Sequence, residues 1–429
     1  MKYQIKNSEL FIKNRSNFSS MLKSNALAVI NANDEFPRSG DQIYNFKQNS
    51  DLFYLSGIDQ EQTILLLFPN CPNPLYKEVL FLRQTNENIA IWEGHKYSIK
   101  EAKAISGIEN IYWIDEFWNI LHSIIHYCDR VYLNTNENDR YAHTLPYRDI
   151  RFIEEIKSKY PLHHYERAAH VFRALRPLKV DAEILYTQKA CDITNDAFRR
   201  VLNFVKPGVY EYEIEAEIIH EFIKQQSTGH AYSPIIASGR DACVLHYNDN
   251  NKICKDGEMI LFDFGAEYGN YNADLSRSIP VSGKFTQRQK DVYSSVLHVM
   301  KESVKMLIPG TIWNEYHEEV GKLMTVELLK LGLLDKHDVE KQNPKMPAYK
   351  KYFMHGTSHH LGLDVHDFAS RYEPFAAGNI LTCEPGIYIL AEELGIRLEN
   401  DILITENGPV DLMANIPIEI EEIESLMNA

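Results

Sequence analysis

Along the first 170 or so residues, short apolar runs alternate with stretches of helical periodicity. Residues 26–32, 63–69, 78–83, 89–92 and 130–134 predict strands, and 100–106 and 115–126 predict helices between them. That alternation predicts an α/β domain with a mixed sheet. Around Pro177 the pattern changes. Asp181 stands as an N-cap before a long helix whose face carries Ala190, Ile193, Ala197, Val201 and Phe204. Pro207-Gly208 ends it, and an acidic helix follows over 211–225. About a hundred residues later the order repeats: Thr286 and Gln289 form a capping box, a helix runs to about Leu307, and Pro309-Gly310 precedes a second acidic helix. Strand-like sequence follows each copy. We therefore expect two domains, 1–175 and 176–429, the second an α+β domain of two similar halves around a shared centre.

Composition narrows the function. A chain of 429 residues is too long for one ordinary core. The net charge of −15 argues against nucleic acid as a partner, since phosphate binding needs concentrated Lys and Arg. The longest aliphatic run, 64–68, falls far short of the ~20 residues that span a bilayer, so no membrane association is expected. The N-terminus lacks an apolar signal-peptide core, and six scattered cysteines without metal-type spacing read as reduced thiols, which together predict a cytoplasmic protein.

The chemistry concentrates in three stretches of the second half. In GEMILFDFGAEYGNYNADLSRSI, a two-residue loop at Tyr268-Gly269 would set Asp263 opposite Asp274, with Cβ atoms roughly 5 Å apart. Asp263 is framed by Leu261, Phe262 and Phe264, and a buried carboxylate needs a counter-charge. In a second hairpin Glu384 and Glu399 are opposed across a turn near Ala391, whose tip charges Glu392 and Glu393 are expected to do no chemistry. Between the hairpins MHGTSHHLGLDVHD holds four histidines. Two Asp, two Glu and a His make an oxygen-rich donor set suited to Mn, Co, Fe or Zn, and bridging carboxylates favour two ions over one.

With these motifs in hand, DFGAEYGNYNADLSRS, HGTSHHLGLDVHD, CEPGIYI and IRLENDILIT, the chain resembles the pita-bread metallopeptidases, most closely the Xaa-Pro aminopeptidases (aminopeptidase P). The likeness is strong over 175–429 and weaker through QNSDLFYLSG and IAIWEG. It implies metal ligation by Asp263, Asp274, His359, Glu384 and Glu399, with Asp274 and Glu399 bridging two divalent ions, usually manganese. It implies attack by the bridging hydroxide on the carbonyl before proline, with Glu384 as proton acceptor. His246, His355 and His366 would line the proline side and assist proton transfer, while His360 has no required role. Arg397 is expected among the catalytic groups as a buttress on a carboxylate, with Tyr388 beside it against the substrate. Asp51 and Trp92 match first-domain positions that approach the substrate, Trp92 from a neighbouring subunit of a homodimer or homotetramer. The connection from His366 to Glu384 is shorter than usual, and Arg371 in it is not matched to a family position.

The expected substrate is a peptide with proline second. A prolidase restricted to Xaa-Pro dipeptides shares the metal ligands and differs in how the first domain limits peptide length. A methionine aminopeptidase lacks a domain like 1–175, and a creatinase-type hydrolase works without metal. A non-catalytic binding homologue would generally have lost ligands, whereas all five are present.

Overall fold

The computed structural model describes residues 7–140 and 145–429. They form two compact units that divide between Arg176 and Pro177. In the first, a six-stranded mixed sheet runs in the order Asn110–Trp113, Glu78–Leu82, Ile64–Leu67, Ala26–Asn31, Arg130–Leu133, His164–Arg167. Ala26–Asn31 is parallel to Arg130–Leu133 and antiparallel to Ile64–Leu67. Its central strands are buried throughout, and Phe81, Phe117, Leu121, Phe152 and Ile156 fill the space between sheet and helices.

One element departs from the expected pattern. Residues 89–92 are not a strand but part of the helix Glu87–Glu93. The Ile-x-Ile spacing suggested a period of two, but capping chemistry prevails. The Asn86 side chain accepts from Ile89 N at 2.9 Å, and Gly94, at φ 79°, ends the helix.

The second unit repeats one plan twice. The helices Asp181–Phe204 and Glu211–Lys224 are followed by an antiparallel sheet of Ile235–Ser238, Met259–Phe264 and Leu275–Pro280. The helices Gln287–Val304 and Trp313–Lys330 are followed by a sheet of Ile380–Cys383, Asn400–Thr405 and Gly408–Asp411. One continuous core joins them, with Phe198, Phe262 and Ile279 from one half and Tyr316, Leu381 and Ile402 from the other. Thr286 and Gln289 do form the capping box. Asp181, however, is the first helical residue and not the cap; the Glu183 carboxylate accepts from Val180 N at 3.0 Å.

Candidate metal centre

The first carboxylate hairpin turns at Gly269-Asn270, one residue later than expected. Both residues have positive φ, 61° and 64°, as a two-residue hairpin loop of the I′ type requires. Tyr268 then pairs with Tyr271 and, further along, Asp263 with Ser276, so Asp274 is not directly opposite Asp263. It lies diagonally across on the same face, because the register moved by two and side chains alternate with a period of two. Gly265, opposite Asp274 in this register, permits the close approach: a Cβ there would sit 1.7 Å from the Ala273 carbonyl oxygen.

In the second hairpin Gly386 pairs with Arg397 and Cys383 with Asn400. That register leaves Glu384 and Glu399 opposed in the gap between the two ladders.

The two hairpins and the histidine segment converge. Single ligand atoms from Asp274, His359 and Glu399 all lie within 4.8 Å of one another. His359 Nε2 is 3.3 Å from Asp274 Oδ2 and 3.8 Å from Glu384 Oε1. Asp263 joins through Tyr232, whose hydroxyl lies 2.6 Å from Asp263 Oδ1 and also meets Asp274 Oδ1. The side chains of Asp263 and Glu384 keep 17% and 20% exposure against 6% for Asp274, which marks the side on which the cluster opens.

Electrostatics show what the cluster lacks. Burial raises the Glu399 carboxyl well above its usual range, and Asp274, Glu384 and Asp263 raise it further. Burial likewise raises Glu384 to about 7, against the opposing pull of His359 and Arg397. Asp263 is raised by burial too, with Arg397 opposing. For His359 burial acts downward, but Asp274 and Glu384 reverse it and hold the imidazole at about 9. Four converging carboxylates face one guanidinium and one imidazole. An oxygen-rich donor set with one nitrogen and a deficit of positive charge fits divalent cations of the Mn, Co, Fe or Zn kind.

Arg397 supports the cluster from behind. Its Nη2 donates to Asp263 Oδ2 at 2.5 Å, its Nη1 to the Tyr388 hydroxyl at 3.0 Å, and its Nε to Ser276 Oγ at 2.8 Å. Ser276 in turn donates to Glu399 Oε2 at 2.6 Å. Tyr388 meets His355 Nε2 at 2.7 Å. Burial, with Arg397 beside it, lowers His355 to about 3, which favours the neutral ring. His366 packs edge to face on His359, ring centroids 4.5 Å apart. His246 is exposed on the loop after Ser238, near enough that its charge disfavours a proton on His355. His360 stacks on Trp313 at an interplanar angle of 13°.

Asp51 and Trp92 belong to the first unit. Asp51 accepts from Arg176 Nη1 at 2.9 Å and from Asn134 Nδ2 at 2.7 Å, a bond set internal to that unit. Trp92 is 88% exposed. Tyr232 is the contact that sequence reasoning missed, and nothing in the spacing of AYSPII announces it.

Comparison with known proteins decides the family. Residues 186–406 match the model of metallopeptidase family M24, and residues 11–132 match the aminopeptidase P N-terminal domain. The chain belongs to metallopeptidase family M24. A Xaa-Pro aminopeptidase from Haemophilus influenzae is 32% identical over 98% of this chain and 97% of its own. Among solved structures, Escherichia coli aminopeptidase P with the inhibitor Pro-Leu superposes at a TM-score of 0.87, with 31% identity and 99% of both chains covered. Pseudomonas aeruginosa aminopeptidase PepP superposes at 0.89, with 30% identity, over 99% of this chain and 98% of that one. The M24 enzyme thus has the expected architecture, an aminopeptidase P N-terminal domain followed by a pita-bread catalytic domain.

Proposed function

We propose that this M24 enzyme is a Xaa-Pro aminopeptidase that releases the first residue from peptides whose second residue is proline. The observation that carries the reading is the convergence of Asp263, Asp274, His359, Glu384 and Glu399, with His355 and His366 beside them. Full-length relatives named for that activity support it, as does the Pro-Leu inhibitor bound by the E. coli protein. The catalytic domain is 176–429 and the N-terminal domain 1–175.

Asp263, Asp274, His359, Glu384 and Glu399 would hold two divalent ions, manganese by preference. Such ions supply Lewis-acid chemistry, lowering the pKa of water and polarising the scissile carbonyl. The remaining work belongs to the protein. Glu384, on the open side of the cluster, accepts the proton of the attacking water. Neutral His355, whose Nδ1 donates to the Gly356 carbonyl and whose Nε2 accepts from Tyr388, is held as a fixed wall on the proline side. His246 and His366 bind the proline side, whose ring nitrogen has no N–H to offer. Arg397 acts through Asp263 and Glu399 and is a positioning residue. The enzyme works in the cytoplasm as a homodimer or homotetramer, in which Trp92 is offered to a neighbour. No helix among the described residues is long and apolar enough to cross a membrane, and all six cysteines are unpaired.

The test strips the protein with chelator, restores manganese, and compares Xaa-Pro-Yaa peptides with Xaa-Pro dipeptides. Release of the first residue from the tripeptide, dependent on metal and lowered at least 10³-fold in Glu384→Gln, is expected. Cleavage confined to dipeptides would assign the protein to the prolidases. Metal-independent or absent cleavage would sink the reading.

A further inference from the structure

The segment that carries His246 is gripped by a carboxylate that no step above uses. Glu211 is the first residue of the helix Glu211–Lys224 and is completely buried. Its Oε1 accepts from Ser238 N at 2.8 Å and from Ser238 Oγ at 2.6 Å. Its Oε2 accepts from the Tyr247 hydroxyl at 2.7 Å and from Lys252 N at 3.0 Å. One side chain therefore ties both ends of the 238–252 segment and the residue next to His246. Four donors converge on it, a demand that an ionised carboxylate meets with four lone-pair directions and no proton of its own. Its charge sits where the helix N-terminus favours an anion.

His246 needs that grip. Its ring is exposed and, among the described residues, makes no hydrogen bond, so its position comes from the backbone alone. Tyr247, which Glu211 holds, packs with Leu261 and Tyr388 in a small apolar cluster. Tyr388 is the residue that meets His355. The loop is also pressed against the second hairpin, where a Cβ at Gly395 would lie 2.0 Å from the Ala242 carbonyl oxygen. A displaced loop cannot settle elsewhere without disturbing that contact.

We infer that Glu211 is a positioning residue for His246, setting the affinity for the proline side of the peptide from beneath the loop. The inference rests on the role given to His246 above. Glu211→Gln keeps the shape but turns an N–H₂ toward donors. Asn250, bonded to Ile236 N, Pro234 O and Glu215, still braces the loop base.

The decisive experiment is a double-mutant cycle on the full-length, manganese-loaded enzyme, with a Xaa-Pro-Yaa peptide and bound manganese measured in each variant. Glu211→Gln is expected to raise KM about 10-fold with kcat within about 3-fold and manganese content unchanged, and to add almost nothing on a His246→Ala background. Tyr247→Phe removes one of the four bonds and should move KM in the same direction by less, which keeps the test valid if Glu211→Gln folds poorly. Equal effects of the Glu211 or Tyr247 change in both backgrounds, or a loss of manganese with kcat, would overturn the inference and leave Glu211 merely structural. A normal KM in His246→Ala would overturn it together with the role of His246. If the wild type cleaves no Xaa-Pro peptide, the proposed function has failed but the positioning remains readable: the His246 ring signal in NMR should shift in both variants while that of exposed His298 does not, and an unmoved His246 signal overturns it.

Discussion

Arg397 Nη2 meets Asp263 Oδ2 at 2.5 Å across a hairpin-to-hairpin contact that spans 134 residues of sequence. The same guanidinium reaches Glu399 through Ser276 and His355 through Tyr388, so one rigid fork sets two carboxylates and one imidazole. A lysine has the charge without the fork. Arg397→Lys is expected to lower kcat roughly 10–100-fold, with manganese affinity falling alongside. Steady-state kinetics at saturating manganese check this, and a kcat within twofold of wild type would show that the fork is dispensable.

Metal and protons compete for the same atoms. Glu384, with a carboxyl raised to about 7, and His359, with a ring held at about 9, carry protons in the metal-free protein that an incoming cation must displace. Manganese affinity should therefore rise with pH between about 6 and 9, with at least about one proton released per protein. Calorimetric titration in two buffers of different ionisation enthalpy measures the release. A flat affinity across that window would contradict the arrangement.

The close approach at Gly265 makes a sharp steric prediction. Any side chain there meets the Ala273 carbonyl, which is backbone and cannot rotate away. Gly265→Ala should spread the Asp263–Asp274 pair, cost upwards of about 2 kcal/mol, and lower metal content. The thermal midpoint and bound manganese are the readouts; an unchanged midpoint with full metal would refute it.

In the first unit Asp149 gives a pH effect independent of the metal centre. Burial raises its carboxyl from 3.8 to about 7, although Asn31 Nδ2 donates to it at 2.9 Å. The folded-state value lies above the unfolded one, so the stabilisation is fully present below about pH 3.8 and is lost as pH rises through 7. The whole effect is on the order of 4 kcal/mol. Asp149→Asn should remove this dependence, gaining on the wild type in thermal midpoint at pH 8 relative to pH 5. Parallel pH profiles would show that Asp149 does not titrate in this range.

Much of the catalytic half was legible because its signals are local. Turn residues followed by alternating side chains place Asp263 and Asp274 on one face whether the loop falls at Tyr268-Gly269 or, as observed, at Gly269-Asn270. A shift of two changes which residues are opposite without changing which face they share. The opposition of Glu384 and Glu399 is encoded in the same way, and the Thr286 capping box needs only four residues. Alternation failed at residues 89–92, where Asn86 and Gly94 outweighed a period-two pattern too short to decide.

By itself, then, the sequence determined the elements, the faces they share and the donor types available to a metal, because these follow from backbone periods and capping over a few residues. Tertiary structure alone decided that Tyr232 bridges Asp263 and Asp274, that Arg397 serves two carboxylates at once, and that Glu211 grips the loop of His246. Those bonds join side chains that no period relates. They exist because packing the two halves around one core removes water from polar groups, which must then find partners wherever the chain brings them.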